Sequence, residues 1–202
     1  MKKLLLAALV VIFSMSVNAQ KLNDVSGSPE VIKGDKSIGI VFTYDDVLIG
    51  KLDEKAYMER EIKERNDKEA GSGDSWAVAW KQDQVSRYPA RFIELFNKTA
   101  GELFDAGINV DAEDPKYTIK VNTSMIEPGF NVGVARKPAL TNHEIVIYET
   151  ANPGNIIHEL TILKSPGNAA MGYDFDAGLR IQEAFAKAGK EYGQFLYKKY
   201  FK

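Results

Sequence analysis

Apolar and polar positions alternate with a period of two through YTIKVNTSM. Tyr117, Ile119, Val121, Thr123 and Met125 share one side, and Thr118, Lys120, Asn122 and Ser124 share the other. The same alternation continues through HEIVIYE and IIHELTILK, which predicts two further antiparallel strands. Between them, Asn152-Pro153-Gly154-Asn155 has Pro at the second and Gly at the third position of a type II turn. With that turn the register sets Ile147 opposite Leu160, Ile145 opposite Ile162, Glu149 opposite His158 and His143 opposite Lys164, and the two strands share an apolar face. Ser37 to Tyr44 (SIGIVFTY) is dense in β-branched and aromatic residues and reads as a central strand buried on both sides.

A period near 3.6 marks the helices. Pro89 to Phe104 has the stripe Phe92, Leu95, Phe96, Thr99, Leu103, Phe104 and a proline suited to a first turn. Ala177 to Tyr200 has the stripe Ile181, Ala184, Phe185, Ala188, Tyr192, Phe195, Leu196, with Asp174 or Asp176 as its cap. Gly189 and Gly193 lie four apart and predict close approach to a neighbouring element. Lys51 to Ala70 is a charged helix with Glu59-Lys63, Glu61-Arg65 and Glu64-Lys68 spaced for ion pairs, and it belongs at the edge of the fold. Ile108 to Val110 reads as a short edge strand. The pattern as a whole predicts an α/β (α+β) domain over 37–202. Its sheet is mostly antiparallel or mixed and has four to five strands, with two main helices on one face and a helical excursion at 51–88. Residues 20–36, with Gly27, Ser28, Pro29 and Gly34, read as a flexible leader.

The amino-terminal pattern adds an address. Lys2 and Lys3, an apolar run from Leu4 to Phe13 and Val17-Asn18-Ala19 form a secretory signal peptide with cleavage expected after Ala19. Removing Lys2 and Lys3 leaves 24 of the 26 basic residues against 28 acidic ones, a net charge of -4. An acidic exported chain is expected to be soluble in the periplasm or secreted, without stable membrane insertion and without a nucleic-acid partner. The absence of cysteine excludes disulfides, thiol catalysis, Cys-ligated zinc and a lipidated cysteine.

Candidate chemistry is sparse. Asp45-Asp46 at a strand end is either a catalytic pair or a solvated turn, and no His, Lys or metal motif follows at a useful spacing. His143 and His158 sit far apart on the expected hairpin, so no shared metal site is predicted. The acidic turn Asp111 to Pro115 lacks the glycine and spacing of a calcium loop. No catalytic residue, metal or cofactor is assigned. The candidate binding residues are Trp76 and Trp80, the only tryptophans, and Phe130, Arg136 and Lys137 in the long connection Glu127 to Leu140. Trp76 and Trp80 are either a platform for sugar or peptide or the pins that hold the excursion to the core. A second glycine-rich connection, Ser165 to Tyr173, lacks the context of a phosphate loop.

The element order, with YTIKVNTSMIEPG, YETANPGNIIHEL and AGLRIQEAFAKAGKEYGQFL, resembles the small α/β domains of envelope proteins. These are the TolB amino-terminal domain, LpoB-type activators of penicillin-binding proteins and the periplasmic domain of the curli secretion channel. The chain also looks like exported proteins of Bacteroidetes. The resemblance implies docking onto other envelope components without chemistry. The missing lipid-bearing cysteine and the Lys51 to Tyr88 excursion depart from those domains. Three functions follow as expectations: a non-enzymatic protein-interaction or accessory module of the envelope, a glycan or small-ligand binding module using Trp76 and Trp80, and a carboxylate-dependent hydrolase. The expected partner is another envelope protein or a cell-envelope glycan.

Overall fold

The computed structural model describes residues 20–33, 35, 37–100, 105–108, 115–168 and 176–202. Residues 1–19, read above as a signal peptide, Leu103 and Phe104, residues 111–114 of the acidic turn, residues 169–173 of the second glycine-rich connection and the alternative cap Asp174 lie outside the described residues. The strands are β1 (Lys21–Gly27), β2 (Ser37–Thr43), β3 (Leu48–Ile49), β4 (Leu52–Asp53), β5 (Asp105–Ile108), β6 (Tyr117–Glu127), β7 (Phe130–Asn131), β8 (Arg136–Lys137), β9 (Ala139–Glu149) and β10 (Asn152–Gly167). The helices are α1 (Glu54–Asn66), α2 (Ser72–Gln82), α3 (Tyr88–Ala100) and α4 (Ala177–Leu196).

The main sheet is mixed and runs β1-β10-β9-β6-β2-β5, with β3 and β4 attached beside β6. Its β1, β10, β9 and β6 pair antiparallel, whereas β2 is parallel to both β6 and β5. Eight strands replace the expected four to five, because β1 and the short β3 and β4 carry too few apolar residues to show a period. Ile119, Val121, Ile145, Ile147, Leu160 and Ile162 are all buried on one face, as the alternation predicts. There they meet Phe92 and Phe96 of α3 and Ile181, Phe185 and Tyr192 of α4 in one core. Phe96 stacks on Tyr192 at 5.3 Å, and Tyr88 stacks on Phe185 at 5.1 Å. At Gly189 a Cβ would lie 2.2 Å from the Phe92 carbonyl oxygen, so the two helices touch backbone to backbone there.

Several expectations are corrected. Within the segment read as a flexible leader, Lys21–Gly27 forms strand β1 and Pro29–Ile32 a 3-10 turn. β1 pairs with β10 from Lys21↔Leu163 to Gly27↔His158, although most of its side chains face solvent. Asp24 anchors it by accepting hydrogen bonds from His158 Nε2 and the Tyr200 hydroxyl, both at 2.7 Å, and from Lys199. β2 is not buried on both sides, since Val41 is 38 % exposed. The turn between β9 and β10 falls at Thr150-Ala151, with Glu149 opposite Asn152, so Pro153 and Gly154 lie inside the start of β10. The hydrogen bonds from the Thr150 amide to the Lys116 carbonyl, 2.9 Å, and between the Thr150 and Thr118 hydroxyls, 2.8 Å, tie that corner to β6. Register irregularities between Asn152 and Ile156 and between Ile156 and His158 then leave the strands two residues from the expected pairing: Ile147 faces His158 and Ile145 faces Leu160. A two-residue slip preserves the face of every side chain, so the apolar face survives the wrong turn. A bulge between Thr123 and Met125 does break parity, leaving Met125 half-buried and Ile126 buried.

Pro89 lies in the first turn of α3, as expected, but α3 does not start from a loop. The chain is helical from α2 through a wide π-turn at Asp83–Arg87 into α3, with the Tyr88 amide bonded to the Asp83 carbonyl. A proline at position 89 has no amide to close the preceding α turn, and a local widening absorbs the loss. Of the edge strand expected at Ile108–Val110, Ile108 is the last residue of β5, and 109–110 lie outside the described residues.

Candidate functional site

The π-turn changes the helix phase where Asp83 and Arg87 project into a cleft of about 510 Å³. The cleft lies between α1, α2, the Pro128-Gly129 corner and the amino-terminal turn of α4. One wall is aromatic. Trp76 and Trp80, one helical turn apart, have ring centroids 5.5 Å apart, and Tyr57 of α1 packs against them at 5.9 and 5.3 Å. The spacing of four puts both indoles on the same side of α2. Trp80 is 5 % exposed and donates from Nε1 to Glu54 Oε1 at 2.8 Å. Trp76 is half-buried, with the Arg65 guanidinium 5.0 Å above its ring. The tryptophans thus hold α1 and α2 together and present a lining rather than an open platform.

The facing wall is polar. Arg87 donates from Nη1 to Asp83 Oδ2 at 3.0 Å and to Asp176 Oδ2 at 3.3 Å, and from Nε to Gln182 Oε1 at 2.8 Å. Gly178 makes room for this network, since a Cβ there would lie 2.5 Å from Arg87 Nη1 and 2.7 Å from Asp83 Oδ2. Asp176 caps α4, accepting from the Gly178 amide at 3.0 Å. Arg180, 4 % exposed, donates to the carbonyls of Pro128 at 3.0 Å and Gly129 at 3.2 Å, which fixes the base of the β7–β8 hairpin against α4. Arg65 donates to Glu61 Oε2 at 3.2 Å.

The titration behaviour follows from these neighbours. Burial, reinforced by Glu61, pushes the Tyr57 phenol up to about 12, so it remains a hydrogen-bond donor at any neutral pH. Burial works against the Arg87 charge, but the hydrogen bond it donates to Asp83 and the charges of Asp83 and Asp176 outweigh it and raise its pKa. Among the described lining residues three guanidiniums, Arg65, Arg87 and Arg180, face three carboxylates, Glu61, Asp83 and Asp176. The cleft is polar and charge-balanced.

Of the sequence candidates, the fold brings Trp76 and Trp80 into this cleft and places Phe130, Arg136 and Lys137 on the β7–β8 hairpin next to it. Phe130 pairs with Lys137 and Asn131 with Arg136 across that hairpin. Phe130 is 45 % exposed, and Lys137 is ion-paired to Glu127 at 3.2 Å. Asp45 pairs with Lys120 at 2.8 Å and takes Asn122 Oδ1 on its amide, while Asp46 turns the chain at φ 53, so the pair is a solvated corner. His143 is buried between the Thr123 and Thr141 hydroxyls, at 3.2 and 2.8 Å, and against Phe185, away from His158. Sequence reasoning missed Tyr57, Asp83, Arg87, Asp176 and Arg180. The i,i+4 spacing of Asp83 and Arg87 just ahead of Pro89 was the one local signal of them.

No protein-family model and no curated protein matches the chain. Among solved structures it is similar to a PelC dodecamer from Paraburkholderia phytofirmans, at 10 % identity and a TM-score of 0.36, over 84 % of this chain and 96 % of that one. Similarity at that level assigns neither family nor function.

Proposed function

We propose that this is an exported, non-enzymatic accessory module of the cell envelope that binds carbohydrate in the cleft between Trp76 and Arg87. One observation carries the reading: an aromatic wall faces a charge-balanced array of planar, hydrogen-bonding side chains in a single cleft of about 510 Å³. That volume falls within the range of small-molecule sites. The half-buried Trp76 ring suits the apolar C–H faces of a sugar, and fixed guanidinium and carboxylate groups suit its hydroxyls. Balanced charge favours a neutral, hydroxyl-rich ligand over a strongly anionic one. Asp83 and Asp176 are both engaged by Arg87, which supports acceptor roles for them over acid–base chemistry. Export rests on the Met1–Ala19 pattern.

The test is an array of bacterial surface and cell-wall glycans probed with the chain from Gln20, beside an Arg87→Ala variant whose melting is checked first. Binding by the parent that the folded variant lacks is the expected result. Binding to no glycan, or equal binding by both proteins, overturns the reading.

A protein partner is the second reading, and the β7–β8 hairpin favours it. Val134 is 99 % exposed and Val132 66 %, beside the exposed Phe130 and Arg136. An apolar fingertip of that kind suits a partner surface. Crosslinking with a photoreactive residue at position 134 in the source envelope is expected to capture one protein in near-equal amount, and capture of none removes this reading.

A further inference from the structure

A second cleft, of about 480 Å³, opens on the other side of Tyr57, towards Gly50, Lys51 and Leu52. Tyr57, Glu61, Pro128 and Gly129 border both volumes. We infer that the two clefts form one groove that holds an extended linear oligosaccharide, with Tyr57 and Gly129 at the saddle between two subsites. The inference rests on the carbohydrate reading and specifies its ligand as a chain rather than a single sugar.

The saddle is built to be low and fixed. Gly129 stands at φ +62, and a Cβ on it would lie 2.3 Å from the Lys137 carbonyl oxygen. That side of the groove therefore has bare backbone, held down by Arg180 through the Pro128 and Gly129 carbonyls. On the opposite side Tyr57 is buried between the tryptophans and Arg60, whose guanidinium lies 5.1 Å over its ring. Arg60 is itself tied to Glu61 at 3.0 Å. The second subsite thus repeats the chemistry of the first: an aromatic ring edge with a guanidinium–carboxylate pair, beside the exposed Lys51 and the aliphatic Leu52. Two similar subsites meeting at a shallow saddle fit a repeating ligand, because each repeat finds the same contacts. A single compact ligand would leave one subsite empty.

The test is calorimetric titration of the chain from Gln20 with neutral oligomers of glucose, N-acetylglucosamine and galactose, from one to six sugar residues. Affinity is expected to rise by about tenfold or more from disaccharide to tetrasaccharide and then level off, as a second subsite fills. Lys51→Trp, on an exposed residue that borders only the second volume, is expected to abolish that rise and leave disaccharide affinity unchanged. Arg87→Ala is expected to abolish measurable binding at every length. Affinity independent of length, or a Lys51→Trp variant that still shows the rise, overturns the two-subsite groove and leaves the carbohydrate reading standing. Absence of binding at every length overturns both.

Discussion

Trp80 Nε1 donates to Glu54 Oε1 at 2.8 Å across 26 residues of chain, and the same carboxylate takes Gln84 Nε2 and Lys81 Nζ, each at 2.5 Å. Burial raises the Glu54 pKa, but the hydrogen bonds from Lys81, Trp80 and Gln84 outweigh it and leave it below the usual glutamate value. One side chain at the start of α1 therefore secures the aromatic wall of the cleft. Glu54→Ala leaves the Trp80 indole N–H and the Gln84 amide without their acceptor. It is expected to cost about 2–3 kcal/mol in urea unfolding and to shift tryptophan emission. Unchanged stability and emission would show that the wall does not depend on Glu54.

Stability should fall in acid through both buried histidines, since burial lowers the pKa of His143 and, against the opposing bond to Asp24, that of His158. Burial alone lowers the His143 pKa from 6.5 to about 3, so between those values the unfolded chain binds a proton that the folded chain refuses. Its contribution is complete above pH 6.5 and is lost by up to about 1.4 kcal/mol per pH unit on the way down. Asp24 acts in a lower window. Burial raises its pKa, but hydrogen bonds from Lys199, Tyr200 and His158 hold it at about 2, so its contribution fades as pH drops below 3.8. His143→Gln is expected to be less stable at pH 7 and to show a flatter slope between pH 6 and 4. A slope equal to that of the parent would place the acid sensitivity elsewhere.

Buried Tyr192 and half-buried Tyr44 should respond oppositely to loss of the hydroxyl. The Tyr192 hydroxyl is buried without a hydrogen-bond partner among the described residues, whereas Tyr44 donates to the Gln84 carbonyl at 2.9 Å. Tyr192→Phe removes an unpaired polar atom and is expected to leave stability unchanged or raise it by up to about 1 kcal/mol. Tyr44→Phe strands a carbonyl and is expected to cost about 1 kcal/mol. Chemical denaturation of the pair checks both, and a clear loss in Tyr192→Phe would reveal a partner for its hydroxyl.

Gly189→Ala sets helix propensity against packing. Alanine favours an isolated helix by up to about 1 kcal/mol, but here its Cβ meets the Phe92 carbonyl at 2.2 Å and must separate α3 from α4. A net loss of about 1–3 kcal/mol is expected. Gly154→Ala is the control, because its nearest neighbour would be the Asn152 side chain at 3.6 Å, an ordinary contact, and its melting temperature should stay close to that of the parent.

The sequence discloses what repeats. Alternation in β6, β9 and β10 and the stripes of α3 and α4 are long enough to fix elements, faces and core, because every second or every third to fourth side chain is buried. β1 carries no such signal, because backbone pairing and the Asp24 anchor hold it while its side chains remain in water. The Asn-Pro-Gly turn misled because a corner three residues earlier is tied to the neighbouring strand, a contact remote in sequence. The cleft was half legible. Trp76 and Trp80 announce themselves by spacing and rarity, but Arg87, Asp176 and Arg180 converge only once α4 lies against the π-turn.

Both tryptophans of the chain line the cleft, so their emission reports its occupancy directly. The decisive measurement is a titration of that emission in the chain from Gln20 with the glucose, N-acetylglucosamine and galactose oligomers, repeated with folded Arg87→Ala. The account predicts a saturable change in the parent that the variant lacks. Emission unchanged by every oligomer, or the same saturable change in Arg87→Ala, would contradict it.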